Sequence, residues 1–146
     1  MGGLDGRALA AGDVISVGDV PASLPARKTP KAFRWRPTRS WALRACPGPE
    51  SDLLDEQTLF DIFDTNFRVG DRADRMGLEL TGIRVGIASA GRMESTPVFP
   101  GTVQCPESGR LFLLSIDAQT TGGYPRIAQV ARADRHLIGQ LRPGDH

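Results

Sequence analysis

The sequence predicts a mostly β fold with one or two short helices, and two observations lead to this prediction. Glycine (17 residues) and proline (11 residues) are spread between short apolar runs, which is typical of many strands joined by turns. Long amphipathic helical patterns are scarce. A chain of 146 residues fits one domain that buries roughly two-thirds of the surface exposed when it is unfolded. We therefore expect residues 1–146 to form a single domain.

Six short segments have the composition of β-strands, because β-branched and apolar residues are followed by glycine, proline or aspartate. The predicted strands are residues 13–17, 41–45, 67–69, 78–81, 101–105 and 111–116. The last of these is the most apolar of the six. We predict that it is the central strand of the sheet, buried on both faces.

Two segments repeat apolar side chains at helical spacing. The first, residues 51–63, begins with residues that commonly cap helices. The second, residues 133–141, has Asp134 where it could cap a short helix. The apolar faces consist of Leu59, Ile62 and Phe63 in the first segment and Leu137, Ile138 and Leu141 in the second.

Composition narrows the function classes. The formal net charge of +1 gives no general reason to expect nucleic acid, and no apolar stretch approaches the ~20 residues that would span a bilayer. The first residues resemble no secretion signal, so we expect a cytoplasmic protein without a membrane partner. Cys46 and Cys105 lie far apart without a CxxC neighbour, which predicts no metal site and leaves one conceivable disulfide; two reduced structural thiols are favoured because we expect a cytoplasmic protein.

The densest cluster of unusual residues is 117–126, directly after the most apolar strand. Loops at strand ends commonly form sites, and Gly122 and Gly123 permit close approach of the backbone to a ligand. Neighbouring side chains offer donors and acceptors for a small polar or anionic substrate. These side chains are Asp117, Gln119, Thr120, Tyr124 and Arg126. A tight hairpin whose Thr and Gln side chains satisfy the turn is the alternative.

Two further segments are candidates for a site. In residues 71–77, two Asp and two Arg crowd a predicted loop, where an Arg could hold a carboxylate or phosphate by two hydrogen bonds; an Asp–Arg network that fixes the loop is the alternative. In residues 97–104, a turn leads into a predicted strand, and the Gln104 side chain points to one face of that strand. Taken alone, this segment would have a structural role and no role in a site.

Other patterns argue against common catalytic sites. His136 and His146 have no nearby partner that would suggest a triad, and no serine lies in a GxSxG context. The basic segment 27–44 also contains Phe33, Trp35 and Trp41. Its positive charges could bind the phosphates of RNA, and its aromatic rings could stack on the bases. A solvated edge that docks on another protein of a complex is favoured, because no other nucleic-acid motif is present.

The order of several motifs resembles one family over nearly the whole chain. The motifs are Gly2-Gly3-Leu4-Asp5-Gly6-Arg7, Leu43-Arg44 with Pro47-Gly48-Pro49, Asp74-Arg75-Met76-Gly77, Pro100-Gly101-Thr102-Val103-Gln104, Asp117 to Ala128, and Gln140-Leu141-Arg142-Pro143-Gly144-Asp145. They are similar to the C-terminal half of the KipA or allophanate-hydrolase subunit 2 family. That family holds the C subunit of bacterial 5-oxoprolinase and the second half of biotin-dependent urea carboxyltransferases.

The resemblance implies a cyclophilin-like β-barrel whose preceding N-terminal half is absent here. It implies a partner that resembles KipI or the B subunit of 5-oxoprolinase, and a LamB/YcsF-like A subunit, which together open 5-oxoproline to glutamate with ATP. Transfer of a carboxyl group from carboxybiotin to urea or a related amide is one alternative. A non-catalytic module that antagonises a KipI-like kinase inhibitor is the other. We expect ATP or biotin to act in the complex, with no cofactor assigned to this chain.

The resemblance also suggests roles in a pocket for a small amide. We expect Gln119 and Thr120 to hydrogen-bond the amide and Tyr124 to form a wall with a polar tip. Arg75 or Arg126 would anchor a carboxylate or phosphate. The predicted catalytic residues are Asp117, Gln119, Thr120 and Tyr124, and the predicted substrate-binding residues are Arg75, Gln104, Arg126, Gly122 and Gly123.

Overall fold

The computed structural model describes residues 4–19, 27–34, 36, 38–87 and 93–146. The chain divides into two compact units, Met1–Arg36 and Pro37–His146, which are described separately. The expectation of a single domain over residues 1–146 stays a prediction. Gly2 and Gly3 of the first family motif and Trp35 of the basic segment lie outside the described residues.

The first unit contains a turn and a short 3-10 helix, Lys31–Phe33. Arg7 forms a two-pronged ion pair with Asp13, and the Asp13 carboxylate also accepts a hydrogen bond from the backbone of Ala10. The strand predicted at residues 13–17 is wrong, because these residues have no regular secondary structure and pair with no strand among the described residues. Val14 and Val17 are accordingly exposed to solvent.

The second unit contains all the regular strands and α-helices of the described residues. In chain order they are β1 (Ala45–Pro47), α1 (Glu56–Asp64), β2 (Arg68–Ala73), β3 (Gly77–Thr81), β4 (Thr96–Pro97), β5 (Thr102–Gln104), β6 (Leu111–Leu114), β7 (Thr121–Gly122), β8 (Arg126–Val130) and α2 (Arg135–Ile138). Short 3-10 helices occur at Ser51–Leu53 and Arg132–Asp134.

Six strands form one antiparallel sheet in the order β1-β8-β5-β6-β3-β2. Strand β6 lies inside this sheet, and Leu111, Leu113 and Leu114 are buried, which confirms a central strand; it ends at Leu114, before the predicted end at residue 116, and Ile116 is exposed. Strands β4 and β7 pair separately as a two-stranded ribbon. The mostly β fold with two short helices is therefore confirmed.

The six-stranded sheet does not close into a barrel by strand pairing in the part of the chain that the structure describes. Its edge strands β1 and β2 are instead linked through the last residues. The Asp145 carbonyl accepts from the Val69 amide (2.9 Å) on β2, and the His146 amide donates to the Arg39 carbonyl (2.8 Å) ahead of β1. Because residues 38–44 are irregular, this linkage consists of isolated hydrogen bonds and not of a ladder.

The strand predicted at residues 41–45 lies further along the chain, at β1, where Pro47 is tolerated because β1 is an edge strand. Strand β8 was missed by the sequence prediction, although Ile127 is fully buried. Strand β2 extends through Ala73, so Asp71 and Arg72 lie on a strand and not in the predicted loop.

Both predicted helices form, but each is shorter than expected. The Asp55 carboxylate caps α1 by accepting from the Thr58 amide (2.6 Å), so that the helix begins later than residue 51. The expected Asp134 cap of α2 is wrong, because its carboxylate accepts from the backbone amide and guanidinium of Arg44. That ion pair ties the segment before β1 to the turn before α2.

The core of the second unit lies between the sheet and α1, where Ile62 of the helix packs with the buried leucines of β6. Cys46 and Cys105 are both free thiols, as predicted, and burial raises the pKa of the Cys105 thiol to about 11. Among the described residues, no helix has the length and apolar character needed to cross a membrane.

Candidate functional site

A cavity of about 660 Å³ lies between the β2–β3 turn, the ends of β5 and β6, and the polar bend of residues 117–124. Its volume suits a small organic molecule. Its polar lining is Asp71, Arg72, Asp74, Gln104, Gln119 and Tyr124, and its apolar walls include Ala73, Met76, Pro106, Phe112 and Leu114. The cavity therefore has apolar walls and a few converging polar groups.

Gln104 is the most buried polar side chain of this cavity, with 2% of its surface exposed. Its Oε1 accepts a hydrogen bond from Nε2 of Gln119 at 3.2 Å. Its Nε2 is buried and has no hydrogen-bond partner. A buried donor without a partner costs about 1–3 kcal/mol, so native proteins retain few of them. The Gln104 amide therefore carries a donor that no other group of the described residues satisfies.

Gly122 permits the Gln104 amide to lie against the bend. A Cβ atom at residue 122 would be 2.7 Å from Gln104 Nε2, which is closer than such atoms approach. The pairing of β7 with β4 holds Gly122 in place, with Thr96 opposite it. The bend and the buried amide are thus fitted to one another.

We expect Gly122→Ala to displace the Gln104 amide while leaving the fold intact, because the obstructing atom ends a flexible side chain. Binding of a small amide to the cavity should weaken by about tenfold, the loss of one hydrogen bond. Calorimetric titration of wild type and variant measures this change, with urea denaturation to verify the fold. Unchanged affinity would show that Gly122 does not position the Gln104 amide for ligand binding.

Other predicted site residues of the bend lie next to the cavity lining. Asp117 forms an ion pair with Arg75 (2.6 Å between Oδ2 and Nη2), and its amide donates to the Arg75 carbonyl. The Thr120 carbonyl accepts from the Val98 amide, and the Gly123 carbonyl accepts from the Met93 amide. The bend therefore contacts both Arg75 and Gln104, although Arg75 is not among the residues that line the cavity.

Arg126 lies in β8 and is bound to another part of the molecule. Its backbone amide and Nε both donate to Glu50 Oε2, at 2.9 and 2.8 Å, and its Nη1 donates to the Pro97 carbonyl. These bonds from the Arg126 guanidinium lower the pKa of Glu50, against the opposing effect of burial. Arg126 thus joins the turn after β1 to β4 and does not line the cavity.

We expect the stability contributed by Glu50 to be lost in acid. Because its pKa is lowered in the folded state, the contribution is present above the unfolded pKa of about 4.5 and disappears as pH falls through the folded pKa. Glu50→Gln should lose about 2 kcal/mol at pH 7 and flatten the decline of stability with acidity. Urea denaturation at several pH values measures both effects.

The control for this prediction is Asp52→Asn, because Asp52 is an exposed carboxylate in the neighbouring 3-10 helix. It should retain the stability and acid sensitivity of the wild type. Equal acid sensitivity of wild type and Glu50→Gln would show that the Arg126 ion pair contributes nothing to the pH dependence.

Asp71 and Arg72 belong to the candidate segment 71–77, but they were not among the site residues predicted from it. Arg72 Nε lies 4.0 Å from Glu79 on β3, a loose contact that leaves the guanidinium at the cavity. Asp74, in contrast, accepts hydrogen bonds from the amides of Met76 and Gly77 and shapes the β2–β3 turn. No local pattern of the sequence distinguished Arg72 from Arg75.

No group of three or more His, Cys, Asp or Glu side chains is placed to hold a metal ion within the described residues. The open sheet, with a polar cavity at the end of several of its strands, defines a β-rich domain. The chain belongs to the carboxyltransferase domain family, subdomain A and B, whose model matches residues 1–146.

The chain is similar to three proteins of known name or structure. It is 33% identical to the C subunit of 5-oxoprolinase from Escherichia coli (strain K12), covering 99% of this chain and 45% of the relative. The crystal structure of TTHA0988 matches with a TM-score of 0.65 and 37% identity, over 84% of this chain and 24% of that one. The Kluyveromyces lactis urea carboxylase matches with a TM-score of 0.69 and 20% identity, over 77% and 11%, which shows the fold alone.

The chain thus spans less than half the length of the Escherichia coli relative. These comparisons confirm the family resemblance predicted from the motifs.

Proposed function

We propose that this chain is a component of an ATP-dependent 5-oxoprolinase, similar to the C subunit of that enzyme, and that its cavity binds a small cyclic amide. The observation that carries the proposal is the buried, unpartnered Nε2 of Gln104 at the cavity wall. The carbonyl oxygen of a lactam is the acceptor that such a donor requires. A fixed donor at this oxygen also stabilises negative charge that develops there when the amide is attacked.

The remaining lining fits the other groups of 5-oxoproline. The Arg72 guanidinium can hold the carboxylate of the ligand by two parallel hydrogen bonds. Asp71 carries a carboxylate that can accept the lactam N–H. Gln119 fixes the orientation of Gln104, and Tyr124 forms a wall with a polar tip. Each polar edge of the lactam therefore has a matching side chain.

ATP is assigned to the complex and not to this cavity. Arg72 is the one cation among the described residues that line the cavity, beside two carboxylates, Asp71 and Asp74; it can balance the single carboxylate of 5-oxoproline but not the several charges of a triphosphate. We propose that a KipI-like protein, equivalent to the B subunit, and a LamB/YcsF-like A subunit complete the cytoplasmic enzyme. The Escherichia coli relative is named as the C subunit of 5-oxoprolinase, and this name supports an enzyme of several subunits.

A second candidate is carboxyl transfer to urea or a related amide. The fold shared with a urea carboxylase and the description of the family favour it. The ureido carbonyl of biotin would fit the same Gln104 donor, and bound carboxybiotin would supply the carboxyl group. In both candidates the Gln104 donor binds a ring carbonyl oxygen, which belongs to a lactam in the first and to the cyclic urea of biotin in the second.

Reconstitution tests the proposal. This chain, joined to the N-terminal half of a 5-oxoprolinase C subunit, is combined with the A and B subunits and assayed for 5-oxoproline-dependent ATP hydrolysis. We expect glutamate formation that requires all three proteins. Urea-dependent consumption of carboxybiotin without 5-oxoproline turnover would establish the second candidate instead.

Capture of a KipI-like partner by a complex that turns over neither substrate would contradict both catalytic proposals. That result would support a module that acts by sequestering a kinase inhibitor.

A further inference from the structure

We propose a second binding site in this chain, for a small carboxylate, at a separate cavity beside α2. The cavity has a volume of about 320 Å³ and is lined by residues that precede β5, follow β6 and form α2. It shares no lining residue with the cavity of Gln104. The proposal therefore does not depend on the proposed function.

Arg135 carries the argument. Its Nε is buried and has no hydrogen-bond partner. Three of the arginines that the structure describes are partly buried: Arg110, Arg126 and Arg135. Arg110 and Arg126 each form an ion pair with a glutamate, whereas no carboxylate of the described residues lies within ion-pair distance of Arg135. The other unpaired arginines of the described residues are exposed. A buried guanidinium nitrogen that lacks an acceptor is costly unless a ligand supplies one.

The neighbouring acid cannot neutralise Arg135. Asp134 is buried, and both of its carboxylate oxygens accept hydrogen bonds from Arg44. This pairing leaves the positive charge of Arg135 available to a ligand. The Nε and one terminal nitrogen of a guanidinium form the fork that matches the two oxygens of a carboxylate.

Two further polar side chains line the same cavity. Ser115 is buried, and its backbone amide is fixed by the Met76 carbonyl at 2.9 Å. Its hydroxyl makes no hydrogen bond to any other described residue, so it can donate to the same anion. His136 adds an imidazole at the cavity wall.

Apolar side chains complete the cavity and narrow the ligand class. Pro100, Ile116 and Ile138 line it together with Arg135 and Ser115. The volume corresponds to roughly ten water molecules, which is more than a bare ion fills. A carboxylate with a short apolar stem uses both the guanidinium and these walls, so we infer a small aliphatic acid as the ligand class.

Calorimetric titration of the 146-residue chain with butyrate, butyramide and inorganic phosphate tests the inference. We expect butyrate to bind, butyramide not to bind, and phosphate to bind more weakly than butyrate because it leaves the apolar walls uncovered. Arg135→Gln should weaken butyrate binding by about tenfold or more, and Ser115→Ala by about threefold. Arg132→Gln is the control, because Arg132 is exposed on the preceding 3-10 helix and does not line the cavity.

Chemical shifts of the His136 ring should move on addition of butyrate in the wild type and remain unchanged in Arg135→Gln. Arg135→Lys provides a second variant that retains the charge but loses the fork, and it should bind butyrate more weakly than the wild type. Equal affinity for butyrate and butyramide, equal affinity of the wild type and Arg135→Lys, or no binding of any probe would overturn the proposal.

Discussion

Replacement of Gly48 by alanine is expected to destabilise the protein by about 3 kcal/mol, since overpacking against fixed atoms typically costs up to that amount. A Cβ atom at residue 48 would lie 2.0 Å from the Arg126 carbonyl oxygen and 2.9 Å from the Ala128 nitrogen. Both are backbone atoms of β8, which is hydrogen-bonded to β1 on one side and to β5 on the other. Urea denaturation monitored by circular dichroism measures the loss.

Gly139→Ala is the matched control for Gly48→Ala. Gly139 follows α2 with a right-handed helical backbone (φ −68°), and no atom lies within 4 Å of a Cβ built there. The same substitution should therefore change stability by less than about 1 kcal/mol, with a tendency to stabilise. If the two variants were equally stable, the close packing of the turn against β8 would not be a determinant of this fold.

Local patterns were sufficient to predict the most apolar strand of the core, β6, but not β8, which also contributes buried residues. The leucines of β6 form a continuous apolar run, which indicates burial on both faces whatever the partner strands are. Strand β8 escaped prediction because Gln129 interrupts its apolar residues. Its place between β1 and β5 depends on pairings across more than twenty residues of sequence, which no local pattern encodes.

The same limit applies to the site. The association of the 117–124 bend with Gln104 and Arg75 was anticipated, and hydrogen bonds and an ion pair link these residues in the structure. The choice between Arg72 and Arg75 was not accessible, because the β2–β3 register shifts between Val69 and Ala73. Strand β2 accommodates two extra residues there, so simple alternation does not predict which of its side chains face the cavity. The partner of Arg126 was equally hidden, since Glu50 lies 76 residues away.

Gln104→Met is expected to change stability and ligand binding in opposite directions. Methionine has nearly the same shape but no donor, so it removes the unpartnered Nε2 from the buried cavity wall. Stability should rise by about 1 kcal/mol, because the cost of the unsatisfied donor disappears and Gln119 is exposed and can bond to water. Binding of a cyclic amide should weaken by about 10- to 100-fold, since the same donor is the proposed contact.

Thr102→Val is the matched control for Gln104→Met, because Thr102 is a buried polar residue on the same strand whose hydrogen bonds are made within the protein. Thr102 is as buried as Gln104, but its hydroxyl donates to Gln129 Oε1 at 2.8 Å and accepts from the Phe99 amide. Its loss leaves two groups without a partner, so stability should fall by about 1–3 kcal/mol while amide binding is unchanged. A buried amide kept at the expense of stability is what selection for a ligand produces. A loss of stability in Gln104→Met of the same size as in Thr102→Val would instead make Gln104 a structural residue, and the cavity would have no dedicated donor for an amide.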